Sequence, residues 1–141
     1  MKYGFVASCF DILHPGYIRM LRDAKSQCDY LIIGLQGDPS VERPGIKSTP
    51  IFPVEERSMI MSSIIYVDEI RHYNSENELY QLLQRLISEN KIDVRILGTD
   101  YIGKRFTGDN LNIPLHFHER DHPWSSSETR KKIIEKTKEN I

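Results

Sequence analysis

Apolar positions along the chain fall into two spacings. Short runs that are wholly or largely apolar occur at Tyr3–Cys9 (YGFVASC), Tyr30–Leu35 (YLIIGL) and Val94–Leu97, the pattern of strands buried on both faces. Shorter runs at Val67–Ile70 and Ile113–Phe117 predict two further strands. Between them the spacing becomes helical. Ile18, Leu21 and Ala24 predict a helix from Pro15 to Gln27, with the proline in the first turn, where its missing N–H costs nothing. Pro53 opens a second segment carrying Val54, Ile60, Met61 and Ile64, and Leu79, Leu82, Leu83, Leu86 and Ile87 line one face of a third. Ser125 with Glu128 three residues later reads as a capping box, so a C-terminal helix begins there, with Ile133 and Ile134 expected to face inward. Gln36–Phe52 and Gly98–Asn110 remain as polar loops. The first is too long for a tight turn, and loops of that size are often functional.

The predicted order is β-α-β-α-β-α-β-β-α. Strands alternating with helices imply an α/β fold, Rossmann-like and doubly wound, with a mostly parallel sheet flanked by helices. The 141 residues suit one domain, 1–141, with one core. In such sheets ligands bind beyond the carboxyl ends of the strands. The segments Asp11–Tyr17, Gly37–Phe52 and Gly98–Thr107 are therefore expected to converge on one edge.

A net charge of −1 removes any broad basic field that would recruit nucleic acid or an anionic membrane. An anion site must then be local, built from a few placed cations and backbone N–H groups. The apolar runs are too short to span a bilayer. The two cysteines, Cys9 and Cys28, lack CxxC spacing and no secretory leader is present, which points to a reducing, cytoplasmic location.

Candidate chemistry sits in four segments. The first, Ser8-Cys9-Phe10-Asp11-Ile12-Leu13-His14-Pro15-Gly16-Tyr17, joins a strand to a helix. Gly16 has no Cβ to hold a ligand off the backbone, the helix start attracts phosphate, and His14 can add a donor or a charge. The segment resembles the GxFDxxHxGH signature of the nucleotidyltransferase superfamily that includes glycerol-3-phosphate cytidylyltransferase. Phe10, Asp11, His14 and Gly16 match, while Tyr17 replaces the second histidine and Ser8 the usual glycine. Gly45-Ile46-Lys47 followed by Pro53-Val54-Glu55-Glu56-Arg57 is similar to the family's loop lysine and helix arginine. Gly98-Thr99-Asp100-Tyr101-Ile102-Gly103-Lys104 resembles its G-x-D-[WY]-x-G-K stretch. Arg120-Asp121-His122-Pro123-Trp124-Ser125-Ser126-Ser127-Glu128-Thr129-Arg130 resembles R-T-x-G-I-S-[ST]-T-x-I, with Asp121 and Trp124 departing from it.

The resemblance covers essentially the whole chain. It implies transfer of CMP from CTP to a small phosphorylated acceptor of the glycerol-3-phosphate kind, with release of pyrophosphate. It makes His14, Lys47 and Arg120 catalytic. Ser8, Cys9, Phe10, Asp11, Gly16, Tyr17, Gly98, Asp100, Ser125, Ser126 and Ser127 would bind nucleotide, and Arg57 the acceptor. Mg²⁺ would accompany the triphosphate with no protein metal ligand, and the assembly would be a homodimer. The alternatives are an ATP-using adenylyltransferase of the same superfamily, or a nucleotide-binding module with low turnover, which Tyr17 motivates. A dinucleotide oxidoreductase is disfavoured, because no GxGxxG follows the first strand. His72, His116, His118 and His122 lack metal-ligand spacing and are read as carrying no chemistry, although His116 and His118 share one strand face.

Overall fold

The computed structural model describes all 141 residues. Five strands, β1 (Tyr3–Ser8), β2 (Tyr30–Gln36), β3 (Glu69–Tyr73), β4 (Val94–Gly98) and β5 (Leu115–His118), form one sheet in the order β3-β2-β1-β4-β5, with every pair parallel. The helices are α1 (Pro15–Ser26), α2 (Pro39–Glu42), α3 (Val54–Ser62), α4 (Glu76–Ser88) and α5 (Ser126–Glu139). After β1 the chain builds outward to β3, then returns to lay β4 on the other side of β1. The strand order thus reverses between β1 and β4, which opens a crevice at their carboxyl ends. No helix is long and apolar enough to cross a membrane.

The period-2 alternation of strand side chains divides the core into two layers. Val6, Leu31, Ile33, Leu35, Val94 and Ile96 pack with Leu21 and Ala24 of α1 and Met61 of α3. The intervening Phe5 and Ile32 turn to the opposite face, against Leu79, Leu82, Leu83 and Leu86 of α4. Helix α4 starts with a full capping box: the Ser75 side chain accepts from Glu78 N–H, and the Glu78 carboxylate returns to the N-cap backbone. At α5 only half the box forms. Ser125 Oγ accepts from Glu128 N–H at 3.0 Å, while the Glu128 carboxylate lies 3.3 Å from Lys131 Nζ instead.

Several boundaries differ from the sequence expectation, each for a physical reason. The third strand begins at Glu69 and not at Val67, because Val67 N–H closes a tight turn onto Ile64 O and Asp68 accepts Leu31 N–H. As an edge strand it carries Glu69, Arg71 and His72, so its apolar signal is weak. The fifth strand begins at Leu115, just past Pro114, which has no N–H to give a ladder. The long loop after β2 contains the one-turn helix α2, capped by Asp38. Ile133 and Ile134 do not face inward. They are 54% and 55% exposed, because no element of the chain lies over that part of α5, and α5 has no buried residue.

Leu83 and Ile133 therefore separate on mutation. Leu83→Ala should cost about 2–5 kcal/mol of stability, and Ile133→Ala less than about 0.5 kcal/mol. Chemical denaturation of the two variants checks this, and equal losses would contradict the layer assignment.

Candidate functional site

A cavity of about 800 Å³ opens at the carboxyl ends of β1, β2 and β4. Ser8, Cys9, Asp11 and Tyr17 line it from the first segment, Arg43, Ile46 and Lys47 from the second, Gly98, Tyr101 and Arg105 from the third, and Ser126, Ser127 and Arg130 from α5. The four motif-bearing segments thus meet where strand order predicts.

The first segment turns sharply after Ser8. Phe10 takes φ +48, its ring buried and packed on Tyr17 at 5.1 Å between centroids. His14 is the N-cap of α1, and its Nδ1 accepts Gly16 N–H at 3.1 Å. An accepting Nδ1 means a ring with its proton on Nε2, free to donate elsewhere. Burial pushes His14 below its ordinary value, and His122 and Arg120 add to the effect. His14 stacks on Tyr17 at 4.1 Å, and Tyr17 Oη lies 3.4 Å from Ser126 Oγ. The N-terminal ends of α1 and α5 are therefore in contact. At α5, Ser125 is the cap, and the Ser126 and Ser127 N–H groups have no intrahelical acceptor.

Asp11 and Arg57 serve the scaffold. The buried Asp11 carboxylate accepts Ile51 N–H at 2.9 and 3.0 Å, Phe52 N–H at 3.1 Å, and the Arg130 guanidinium. Arg57 is 1% exposed. Its Nε donates to Phe52 O at 2.8 Å, its Nη1 to Cys9 O at 2.8 Å and to Gln36 O, and its Nη2 to Gly37 O. With its donors committed to four carbonyls, Arg57 does not present a fork to an acceptor phosphate, and the acceptor role expected of it is replaced by a structural one. Cys9 sits over this network with its thiol pushed up by burial.

Lys47 is exposed on the rim beyond α2, and its side chain makes no hydrogen bond. Arg120 is exposed just past β5. Its backbone N–H donates to Thr99 Oγ1 at 3.2 Å, and its guanidinium lies 3.8 Å from Asp100. The third and fourth segments are joined in this way beside Gly98.

Sequence reasoning missed two groups here. Arg130 lines the cavity and pairs with Asp11; only its helical position, four residues after Ser126, hinted that it would face the site. His122, read as bland, comes close to the α1 start: a Cβ at Gly16 would fall 2.6 Å from His122 Cε1 and 2.9 Å from His14 Cε1. Two imidazoles therefore crowd the space that a side chain at Gly16 would need. Burial lowers the His122 pKa, with Arg19 and Arg120 adding to the effect and Asp121 opposing it. His116 and His118 instead share the Asp23 carboxylate, at 3.1 and 2.8 Å.

Comparison with known proteins follows the same lines. The family described as cytidylyltransferase-like matches residues 5–132. Bifunctional protein HldE of Campylobacter jejuni is 34% identical over 138 residues, covering 98% of this chain but 28% of that protein; the chain thus spans little more than a quarter of that relative's length. Among solved structures, the lipopolysaccharide core biosynthesis protein of Thermoplasma volcanium has a TM-score of 0.56 at 22% identity, covering 96% of this chain and 88% of that one. The pantoate-β-alanine ligase of Francisella tularensis, solved with β-γ ATP and β-alanine, has a TM-score of 0.58 at 18% identity, covering 92% and 65%.

Two outcomes follow from this geometry. Arg57→Lys keeps the charge but cannot reach four carbonyls. It should lose about 2–4 kcal/mol, at roughly 1–3 kcal/mol per buried acceptor left without a donor, and denaturant titration reads the loss. Because folding lowers the His14 and His122 values below 6.5, the unfolded chain binds protons more tightly. Their contribution to stability is complete above about pH 6.5 and is lost as pH falls through the folded-state values. NMR titration of the two rings should show both midpoints below 6.5, and a midpoint above it for either ring would contradict the assignment.

Proposed function

The chain belongs to the cytidylyltransferase-like family of nucleotidyltransferases, and from that premise we propose that it transfers a nucleotidyl group from a nucleoside triphosphate to a small phosphorylated acceptor. The observation that carries the proposal is the meeting of two helix N-termini at one cavity, with Tyr17 Oη 3.4 Å from Ser126 Oγ. The Gly16 and Tyr17 N–H groups of α1 are taken by His14, so α1 contributes its dipole and the Tyr17 hydroxyl, while α5 adds the free Ser126 and Ser127 N–H groups and their hydroxyls; together these suit a polyphosphate chain.

In this reading an acceptor phosphate oxygen attacks the α-phosphorus in line. The new O–P bond forms as the bridging bond to the β-phosphate breaks, and pyrophosphate leaves with the electron pair. Ser126 and Ser127 hold the β- and γ-phosphates. His14 Nε2–H donates to the α-phosphate oxygens as their charge grows, and Lys47 and Arg120 close over the phosphates from the rim. Asp11, saturated by two backbone N–H groups and Arg130, holds the floor in place. No group of three His, Cys, Asp or Glu side chains is placed to hold an ion. Mg²⁺ is proposed to enter on the triphosphate, where it would neutralise part of the phosphate charge.

CTP is the proposed donor and a glycerol-phosphate-like compound the proposed acceptor, on the resemblance of the motif segments and the family's description. ATP is the second reading, prompted by the ATP-type ligand in the Francisella tularensis ligase.

Pyrophosphate release with CTP or ATP, Mg²⁺ and a panel of phosphorylated alcohols, amino alcohols and sugars decides between them. Release with CTP and a polyol phosphate is the expected result, and tight triphosphate binding without release with any acceptor would favour the binding-module reading. Against the active pair, His14→Ala should lower kcat about 100- to 1,000-fold with little change in triphosphate affinity. Tyr17→His should keep or raise kcat/KM, since histidine can carry charge beside the triphosphate and tyrosine cannot.

A further inference from the structure

Arg95 is the second residue of β4 and points to the face opposite Val94 and Ile96, toward α4. It is 4% exposed, yet its donors are largely unspent. Nη1 donates to Thr107 O, Nε is sealed from solvent without an acceptor, and Nη2 has no protein partner. No carboxylate lies within 4.0 Å of it. The nearby Glu76 carboxylate accepts the Thr107 hydroxyl. The guanidinium lies under Phe106, 5.3 Å from the ring centroid, and it lines the same cavity as Ser126 and Ser127, on the side walled by Tyr73, Glu76 and Leu79.

A buried cation with no carboxylate in contact is costly, and the more distant Glu76 and Asp109 offset only part of that cost here. Arg57 shows how this chain meets that cost when an arginine is structural, with four carbonyl acceptors. Arg95 has one. Its seat is nonetheless built with care: Gly108 takes φ +83, and a Cβ there would come 2.5 Å from Leu83 Cδ1 and 3.1 Å from Arg95 Nη1. Burial also pushes the guanidinium below the ordinary arginine value, a penalty that a bound anion would reverse.

We propose that Arg95 is the anion-gripping residue of the acceptor subsite, and that its open guanidinium edge binds the phosphate of the acceptor across the cavity from the α5 phosphate site. This rests on the nucleotidyl-transfer reading for the identity of the ligand, but not for the existence of an anion site. Arginine suits the task because its planar fork matches phosphate oxygens, whereas lysine offers only a point charge.

The test uses Arg95→Gln and Arg95→Lys in the full chain. With an active donor and acceptor pair, Arg95→Gln should raise the acceptor KM on the order of tenfold to a hundredfold, as loss of charge-assisted hydrogen bonds implies. The triphosphate KM should stay within about twofold, and Arg95→Lys should fall between wild type and Arg95→Gln. Independently of turnover, inorganic phosphate is titrated calorimetrically after the α5 site has been filled with tripolyphosphate. Phosphate binding that survives this in the wild type and is lost in Arg95→Gln supports the subsite, even if no transfer is found with any acceptor; the transfer reading alone would then fail. An unchanged acceptor KM in Arg95→Gln, or phosphate binding unaltered in both variants, would overturn the proposal. Should Arg95→Gln not fold, Arg95→Lys carries the same comparison.

Discussion

The site depends first on one buried guanidinium. Arg57 of α3 ties the carbonyls of Cys9, Gln36, Gly37 and Phe52 to a single planar group. Those carbonyls end β1, end β2 and close the long loop that follows. A buried carbonyl without a donor costs about 1–3 kcal/mol. Burying the charge is offset by giving its donors acceptors. The effect is positional. With the Cys9 carbonyl turned onto Arg57, β1 leaves the sheet at Ser8, and the chain turns through Phe10 to deliver Asp11 and His14. Asp11 then completes the floor by gripping Ile51, Phe52 and Arg130.

Above that floor cationic side chains gather although the whole chain carries −1: Arg43, Lys47, Arg95, Arg105 and Arg130 line the cavity together with Asp11, Glu42, Glu76 and Asp109. His14, His122 and Arg120 lie close enough to depress the two imidazoles, while Asp121 and Asp100 are already engaged by Arg19 and Arg120. The helix starts of α1 and α5 point the same way in sign. A polyanion meets these demands together: it accepts from Nε2 of a neutral His14, from the Ser126 and Ser127 N–H groups, and from the rim cations. Tyr17 bridges the two helix starts, stacked on His14 and reaching Ser126.

Two arginines show that burial alone does not assign a role. Arg57 and Arg95 are both nearly inaccessible, but one has four acceptors and the other a single carbonyl. The difference follows from the connections around them. Arg57 sits where three chain segments end and expose carbonyls. Arg95 sits below the crossover from β4 to β5, which has no α-helix to cover the strand, only a short 3₁₀ turn at Thr99–Tyr101 and the Phe106–Gly108 loop. That loop leaves open space beside the guanidinium where a helix would have placed apolar side chains.

The strands of the sheet centre, the α1 and α4 faces and the convergence of the motif segments were legible in the sequence. Each is encoded by local periodicity or by residues adjacent along the chain: the run at Tyr30–Leu35, the leucines of α4, the His14-Pro15-Gly16 helix start, the serines that open α5. The edge strands were legible only approximately, because β3 and β5 are half-buried and carry polar residues that dilute the apolar signal. Ile133 and Ile134 have the same chemistry as core residues, and only the absence of any element lying over α5 leaves them exposed. The roles of Arg57, Arg95, Arg130 and His122 were decided by tertiary structure alone. An arginine or histidine is spent or available according to which carbonyls, carboxylates and rings arrive beside it. Phe52 and Thr107 lie only 5 and 12 residues from Arg57 and Arg95, but Cys9 lies 48 residues from Arg57 and Asp11 119 from Arg130, separations that no local pattern records.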